Sequence, residues 1–457
     1  MTLWTSTEIA AATGGTSSAP FEATGVTFDS REVGSGDLFV ALTGETTDGH
    51  RFLDQSFAAG AAGAIVSAET PHPSVRVADT MAALEDLARA SRARVQGKVI
   101  GVTGSVGKTG TKEALYAALD RCARGNAHRS VKSYNNHTGV PLSLARMPSA
   151  SRYAVLEMGM NHAGELAALT QLVRPHVALV TAIAPAHTAF FSGEEAIADA
   201  KGEIFQGLEP GGTAIVPFDS PHRDRLIAAA KPYAAEIVTF GSGKDADVRA
   251  IEAMPLASGG TFVTARLGTT EISYTISQPG AHWVSNSLAV MAAVRAVGGD
   301  LALAGLALAE MEGLTGRGAR FGVAIGDGEA LVIDESYNAN PSSMRATLAV
   351  LGAQEAARKL VVLGEMRELG EGSAAFHAAL AEPIAAAGVE TGILVGESMT
   401  PLATALEGRG DFVHVPDAAA ARARLRELLA PGDAVLIKGS NGVGLSAVVA
   451  QLRSGNL

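Results

Sequence analysis

The stretch at 98–113, KVIGVTGSVGKTGTKE, restricts what this chain can become more than any other. A short apolar strand at 98–102 leads into the turn Thr103-Gly104-Ser105-Val106-Gly107. Lys108 and Thr109 follow, then Gly110 and a helical run at 111–119. Strand, glycine turn, lysine-threonine and helix is the layout of a phosphate cradle. Glycines let the backbone turn sharply and aim N–H groups at phosphate oxygens, and the helix N-terminus adds partial positive charge. In that layout Lys108 reaches the terminal phosphates and the Thr109 hydroxyl holds Mg²⁺. The spacing is a short GxxGKT form: the glycines are Gly101 and Gly104, and Val102 stands where the longer loop has its first glycine. An ordinary strand–turn–helix is the competing reading of these residues taken alone.

A chain of 457 residues is too long for one core, so two to four domains are expected. A net charge of −11 argues against a general nucleic-acid binder and means that a polyanionic ligand needs local cations. Cys122 is the single cysteine, which excludes a disulfide framework and a thiolate metal cluster. With no signal-like N-terminus and no apolar run of transmembrane length, a cytoplasmic protein without membrane insertion is expected.

Along the chain, apolar strands alternate with alanine-rich helices, which predicts α/β architecture with parallel sheets. Residues 1–95 carry VTFDSREV, GDLFVAL and GAAGAIVSA as strands, with Asp29-Ser30-Arg31 in a loop. That triplet reads first as a turn with a solvated charge, and alternatively as a phosphate-holding arginine. Residues 96–317 hold the cradle, the strand 153–156 ending at Glu157, and a buried strand running into Pro185-Ala186-His187. A carboxylate at the carboxyl end of a buried strand lies where open α/β sheets place ligands, and beside a phosphate loop it suits Mg²⁺. A helix at 197–205 carries Lys201, and 247–277 reads as a small antiparallel insertion. Residues 282–286, HWVSN, lead into a helix at 287–297, and a Gly/Arg linker at 313–320 marks the best boundary. Residues 318–457 alternate again, with charged groups at strand ends, Asp334-Glu335 and Lys438-Gly439-Ser440 among them, and no GxGxxG after the first strand.

Together TGSVGKT at 103–109, NNHTGVP at 135–141, EMGMNHAGEL at 157–166, PAH at 185–187, AKGEIF at 200–205 and DESYNANP at 334–341 resemble the Mur ligase family over nearly the whole chain. GEMRELG at 364–370 and KGS at 438–440 complete the set; after KGS the family more often has arginine, and here Asn441-Gly442 follows. The resemblance implies a small UDP-sugar-binding α/β domain, a central P-loop ATPase-like sheet and a C-terminal Rossmann-like domain. It implies an ATP-dependent amide ligase of peptidoglycan synthesis, and with it a role in cell shape and division. The pattern is most like the branch that adds D-alanyl-D-alanine to UDP-N-acetylmuramoyl-tripeptide through an acyl phosphate. Addition of a single amino acid, or to a folate, and a P-loop regulator are the rival readings.

The same resemblance assigns roles. Gly104, Ser105, Val106, Gly107, Lys108, Thr109 and Gly110 contact ATP, as do Asn136, Asn286 (with His282 nearby), Arg317 and Asp334. Lys108, Lys201, His187 and Arg317 are the catalytic set. Thr109, Glu157, His187 and Lys201 surround Mg²⁺, two ions being expected, with Lys201 carbamylated by CO₂. Ser30 and Arg31 are expected at the UDP end. The expected partners are these small molecules, and a monomer is expected.

Overall fold

The computed structural model describes residues 2–44, 47–185, 190–256 and 259–455. It is α/β throughout, built on sheets of five, nine and six strands, with a two-stranded ribbon near the N-terminus. The first sheet is parallel from Gly25–Thr27 through Asp37–Val40 and Gly63–Val66 to Ser74–Arg76. The helix Thr80–Arg94 covers it; Asp79 caps that helix by accepting from the N–H groups of Met81 and Ala82.

The nine-stranded sheet positions the site. Its cradle strand, Lys98–Thr103, lies between Tyr153–Glu157 on one side and Val177–Val180 on the other, all parallel. These strands are apolar and almost wholly buried because helices cover both faces. From the cradle strand the chain goes first to one side and then to the other. The carboxyl ends of these strands therefore flank a topological switch point, where such sheets bind ligands.

The segment at 247–277 is antiparallel as expected, but it extends the nine-stranded sheet. Val248–Pro255 starts parallel to Glu236–Gly241, then continues antiparallel with Thr261–Leu267 and Thr270–Ile276 as the far edge of the same sheet. Val263, Ala265, Leu267, Tyr274 and Ile276 are buried in one core with Leu115, Leu288 and Leu308. The alternation along Thr261–Leu267 is that of a strand with one face on helices. The HWVSN residues lie inside the helix Ala281–Ala296, which begins earlier than their polarity suggests.

In the third sheet, Gly328–Glu335, Asp433–Lys438, Arg358–Gly364, Thr391–Val395 and Asp411–Val415 run parallel in that spatial order. Ala319–Ile325 is added antiparallel at one edge. Asp411–Val415 and Ala319–Ile325 are the two edges of this sheet, where the apolar pattern is weaker. Among the described residues no helix is long and apolar enough to cross a membrane.

Candidate active site

The cradle forms as its glycines require. Gly104 has φ 149° and Gly107 φ 83°, and Gly107 caps the helix Lys108–Ala123. Thr181 closes the loop from the neighbouring strand's end, its hydroxyl donating to the carbonyl of Val106 over 2.5 Å. A Cβ on Gly104 would lie 1.9 Å from that hydroxyl. Thr103 Oγ1 and Ser105 Oγ are buried with no hydrogen-bond partner among the described residues, so the loop holds polar atoms left to meet a ligand.

Lys108 folds back over the loop and donates to the Gly104 carbonyl at 2.6 Å. Burial holds its ammonium below the usual lysine range; Glu157 opposes this and Arg317 adds to it. Thr109 donates to Glu157 Oε2 at 2.9 Å, and Asn135 Nδ2 donates to Oε1 at 2.8 Å. Glu157 is 1% exposed at its strand end. A hydroxyl and a carboxylate beside a phosphate loop are hard oxygen donors in the small number Mg²⁺ takes from protein when phosphate supplies others. The donor set fits that ion.

Lys201 lies in the helix Glu194–Gly202 and is 1% exposed. Burial, and then the Lys108 cation, hold its amine well below the usual range. A neutral amine is the form that reacts with CO₂, so its surroundings fit carbamylation. His187 lies outside the described residues.

From the other side, the Asn286 amide lies against Gly107 and the Trp283 ring against Gly110: a Cβ on either glycine would come within 3.0 and 3.1 Å of them. His282, one residue before Trp283, is pushed down to about 4 by burial and by the nearby Lys438 cation. Arg317 reaches Ser133 Oγ at 3.5 Å and stacks over Tyr337 at 4.3 Å. Lys438 is buried, donating to the Asn338 carbonyl at 2.9 Å and to Glu335 at 3.4 Å.

Comparison with known proteins gives the same outline. Profiles described as the Mur ligase family catalytic domain, the Mur ligase middle domain and the Mur ligase glutamate ligase domain match residues 22–98, 102–294 and 319–441. A UDP-N-acetylmuramoyl-tripeptide–D-alanyl-D-alanine ligase of Escherichia coli is 36% identical over 94% of this chain and 93% of its own. The chain belongs to the Mur ligase family. A Bacillus subtilis ligase of the same name is 33% identical over 94% of this chain and 93% of its own. The crystal structure of MurF from Acinetobacter baumannii superposes with a TM-score of 0.84 at 32% identity, covering 99% of both chains. MurF ligase from Thermotoga maritima in complex with ADP gives 0.76 at 26% identity, covering 94% of this chain and 97% of its own.

The remaining expected residues of this Mur ligase lie at varied depths. Asn136 Oδ1 accepts from Gly139 N–H at 3.0 Å and Thr138 Oγ1 at 3.1 Å, so its side chain organises the start of the helix Gly139–Ala145. Asp334 is wholly buried; it accepts from Gly316 N–H at 2.7 Å and Ser336 Oγ at 2.7 Å, holding the linker. Arg31 is 82% exposed and forks onto Asp29 at 2.6 and 2.8 Å. Ser30 stands in the same loop, where Glu32, next to Arg31, pairs with Lys132.

Sequence reasoning missed the segment that joins these parts. Between 130 and 136, Ser130 Oγ accepts from Glu157 N–H at 2.8 Å, Lys132 meets Glu32 from a loop of the five-stranded sheet, Ser133 meets Arg317, and Asn135 meets Glu157. NNHTGVP drew notice to Asn136, yet its neighbour Asn135 is the one that touches the carboxylate. No periodicity marks such a loop; only the pairing of motifs in space does.

Proposed function

We propose that this chain is an ATP-dependent ligase joining D-alanyl-D-alanine to UDP-N-acetylmuramoyl-tripeptide, releasing ADP and phosphate. The observation that carries it is the convergence of Lys108, the Thr109–Glu157 pair and buried Lys201 at one switch point, in a chain alike over 94% of its length to a ligase of that name.

The chemistry needs such a site. A carboxylate resists attack by an amine because its charge shields the carbonyl carbon and hydroxide leaves poorly. Transfer of the γ-phosphoryl group to it gives an acyl phosphate, which the dipeptide amine attacks, expelling phosphate. Positioning and charge neutralisation supply most of the rate. Lys108 neutralises the terminal phosphates, and Arg317 brings a second cation from the linker. Thr109 and Glu157 would hold Mg²⁺, which supplies further neutralisation of phosphoryl charge. As a carbamate, Lys201 would become an anionic oxygen ligand in place of a cation that repels the metal; His187 is assigned beside it. Asn286 and His282 line the nucleoside side, Ser30 and Arg31 the UDP end. The nucleotide-linked substrates put the reaction in the cytoplasm, and the chain acts as a monomer.

The test is phosphate release with ATP and UDP-N-acetylmuramoyl-tripeptide, comparing D-alanyl-D-alanine with single amino acids. Stimulation by the dipeptide and dependence on both co-substrates is expected. Stimulation by a single amino acid and none by the dipeptide overturns the assignment.

A further inference from the structure

Lys112 takes no part in the chemistry at the cradle, yet it is a cation sealed inside the protein beside it. It lies one turn beyond Lys108 in the helix Lys108–Ala123 and is 0% exposed. An ammonium has three donors, and all three are taken. It donates to the Lys132 carbonyl at 2.6 Å, more loosely to the Ser130 carbonyl at 3.5 Å, and to Glu113 Oε1 at 2.8 Å. Glu113 Oε2 in turn pairs with Arg129 at 2.8 Å, at the end of the strand Ala127–Arg129. The adjacent residues Lys112 and Glu113 therefore clamp the chain from 129 to 132 against the cradle helix.

Stability alone does not call for a charge here. Removing an ammonium from water costs much of what its partners return, and a well-packed apolar side chain of similar volume is often as stable. What the charge adds is a fixed path for the chain. Lys132 has φ 48°, in the left-handed region that residues other than glycine rarely adopt, and it is the carbonyl of this strained residue that Lys112 holds most closely.

Both ends of the segment that begins there reach Glu157. Ser130 Oγ accepts from the Glu157 N–H at 2.8 Å, and Asn135 Nδ2 donates to Glu157 Oε1 at 2.8 Å. The Asn135 carbonyl also accepts from the Gly159 N–H at 2.8 Å, just past the end of the same strand. Glu157 Oε2 is left to Thr109, one turn before Lys112 on the cradle helix. Lys112 thus grips the main chain of a segment whose side chains grip the carboxylate.

We propose that Lys112 is a positioning residue: by clamping residues 130–132 it holds Glu157 in the orientation that takes up the divalent cation of the nucleotide. This rests on Thr109 and Glu157 being the Mg²⁺ donors of a nucleotide site.

The experiment reads binding, with no acceptor and no turnover. Mn²⁺ favours the same oxygen donors and is detected by electron paramagnetic resonance. It is titrated into the full-length protein carrying one equivalent of ADP, with ADP alone as the reference for metal held by phosphate. ADP affinity without metal is measured by calorimetry in EDTA. Lys112→Met keeps the length of the side chain and removes its donors. It should weaken Mn²⁺ binding by about 10-fold, as for groups that orient a metal ligand. Its ADP affinity in EDTA should hold, because Lys108 and the glycine turn are untouched. Asn135→Ala should weaken Mn²⁺ binding similarly, and the double variant should lose less than the product of the two losses, because both act through Glu157. Wild-type Mn²⁺ affinity in a folded Lys112→Met overturns the inference alone. So does a loss of ADP affinity in EDTA as large as the Mn²⁺ loss, which would make Lys112 a support of the whole cradle, and so do losses that multiply in the double variant. If Lys112→Met does not fold, Lys112→Gln decides by the same comparison. A wild type that binds ADP and takes up no Mn²⁺ beyond that held by ADP alone overturns the metal assignment of Thr109 and Glu157, and this inference with it.

Discussion

Thr109 and Glu157 hold each other across 2.9 Å, between the first turn of the cradle helix and the end of the neighbouring strand. A cation bound here would take the oxygens of both. Asn135 fixes the carboxylate's second oxygen from a loop outside the cradle. Groups that orient a metal ligand typically change metal affinity 10- to 100-fold. Asn135→Ala should therefore raise the Mg²⁺ concentration for half-maximal activity by about 10-fold, measured at saturating ATP. An unchanged Mg²⁺ requirement would show that Asn135 serves only the fold.

Lys201 supplies a second prediction. Burial, and then the Lys108 cation, hold its amine well below the usual lysine range. Lys201→Ala should lower kcat by about 100-fold or more, in keeping with loss of a group stabilising phosphoryl transfer. Short carboxylic acids should restore part of it by filling the space with an anionic oxygen. Exhaustive removal of CO₂ from the buffer should slow the wild type and leave the variant unaffected. Full activity in Lys201→Ala would sink the carbamate role.

Gly104 tests the cradle as geometry. At φ 149°, with Thr181 Oγ1 1.9 Å from any added Cβ, alanine strains the backbone and displaces the hydroxyl that closes the loop. Gly104→Ala should cost about 2 kcal/mol or more in urea unfolding and lose nucleotide binding measured by titration calorimetry. Normal nucleotide affinity in a folded variant would contradict the cradle.

Stability should fall as pH falls from neutrality. His128 is held down to about 4 from 6.5 by burial, its ring paired with the Ser143 carbonyl at 2.7 Å, and His176 is likewise held at about 4. Between those values the unfolded imidazole binds a proton that the folded one refuses, so the unfolded state gains as pH drops through the window. The Tm should fall steadily between pH 7 and pH 5. His128→Gln should flatten that slope even if it lowers the Tm throughout; an unaltered slope would refute the assignment.

The α/β class and the cradle strand were legible because parallel strands buried on both faces read as apolar runs, and glycine turns mark their ends. Lys108, Thr109 and Glu157 stood out for the same reason: each sits where a strand or turn stops. The edge at 247–277 was not legible as part of the main sheet, since the pairing of Val248 with Phe240 is set in space, not by local pattern. Polarity hid the helical start of HWVSN, because Asn286 faces the cradle and His282 lies near Lys438 on a helix that is otherwise core. Asp334 drew notice as a charged strand end; its burial against Gly316 and Ser336 depends on how the linker folds back.

That fold-back decides which sheet Arg317 belongs to. Met311 is tied to the central sheet through the Gln278 amide at 3.2 Å, whereas Gly316 and Gly318 are tied to Asp334 of the third sheet at 2.7 and 2.8 Å. Arg317, between those two glycines, is thus cargo of the third sheet. Any movement between the two sheets would carry Arg317 with the third and leave Lys108 with the cradle. The few residues at 311–318 therefore set whether the two side chains can stand together.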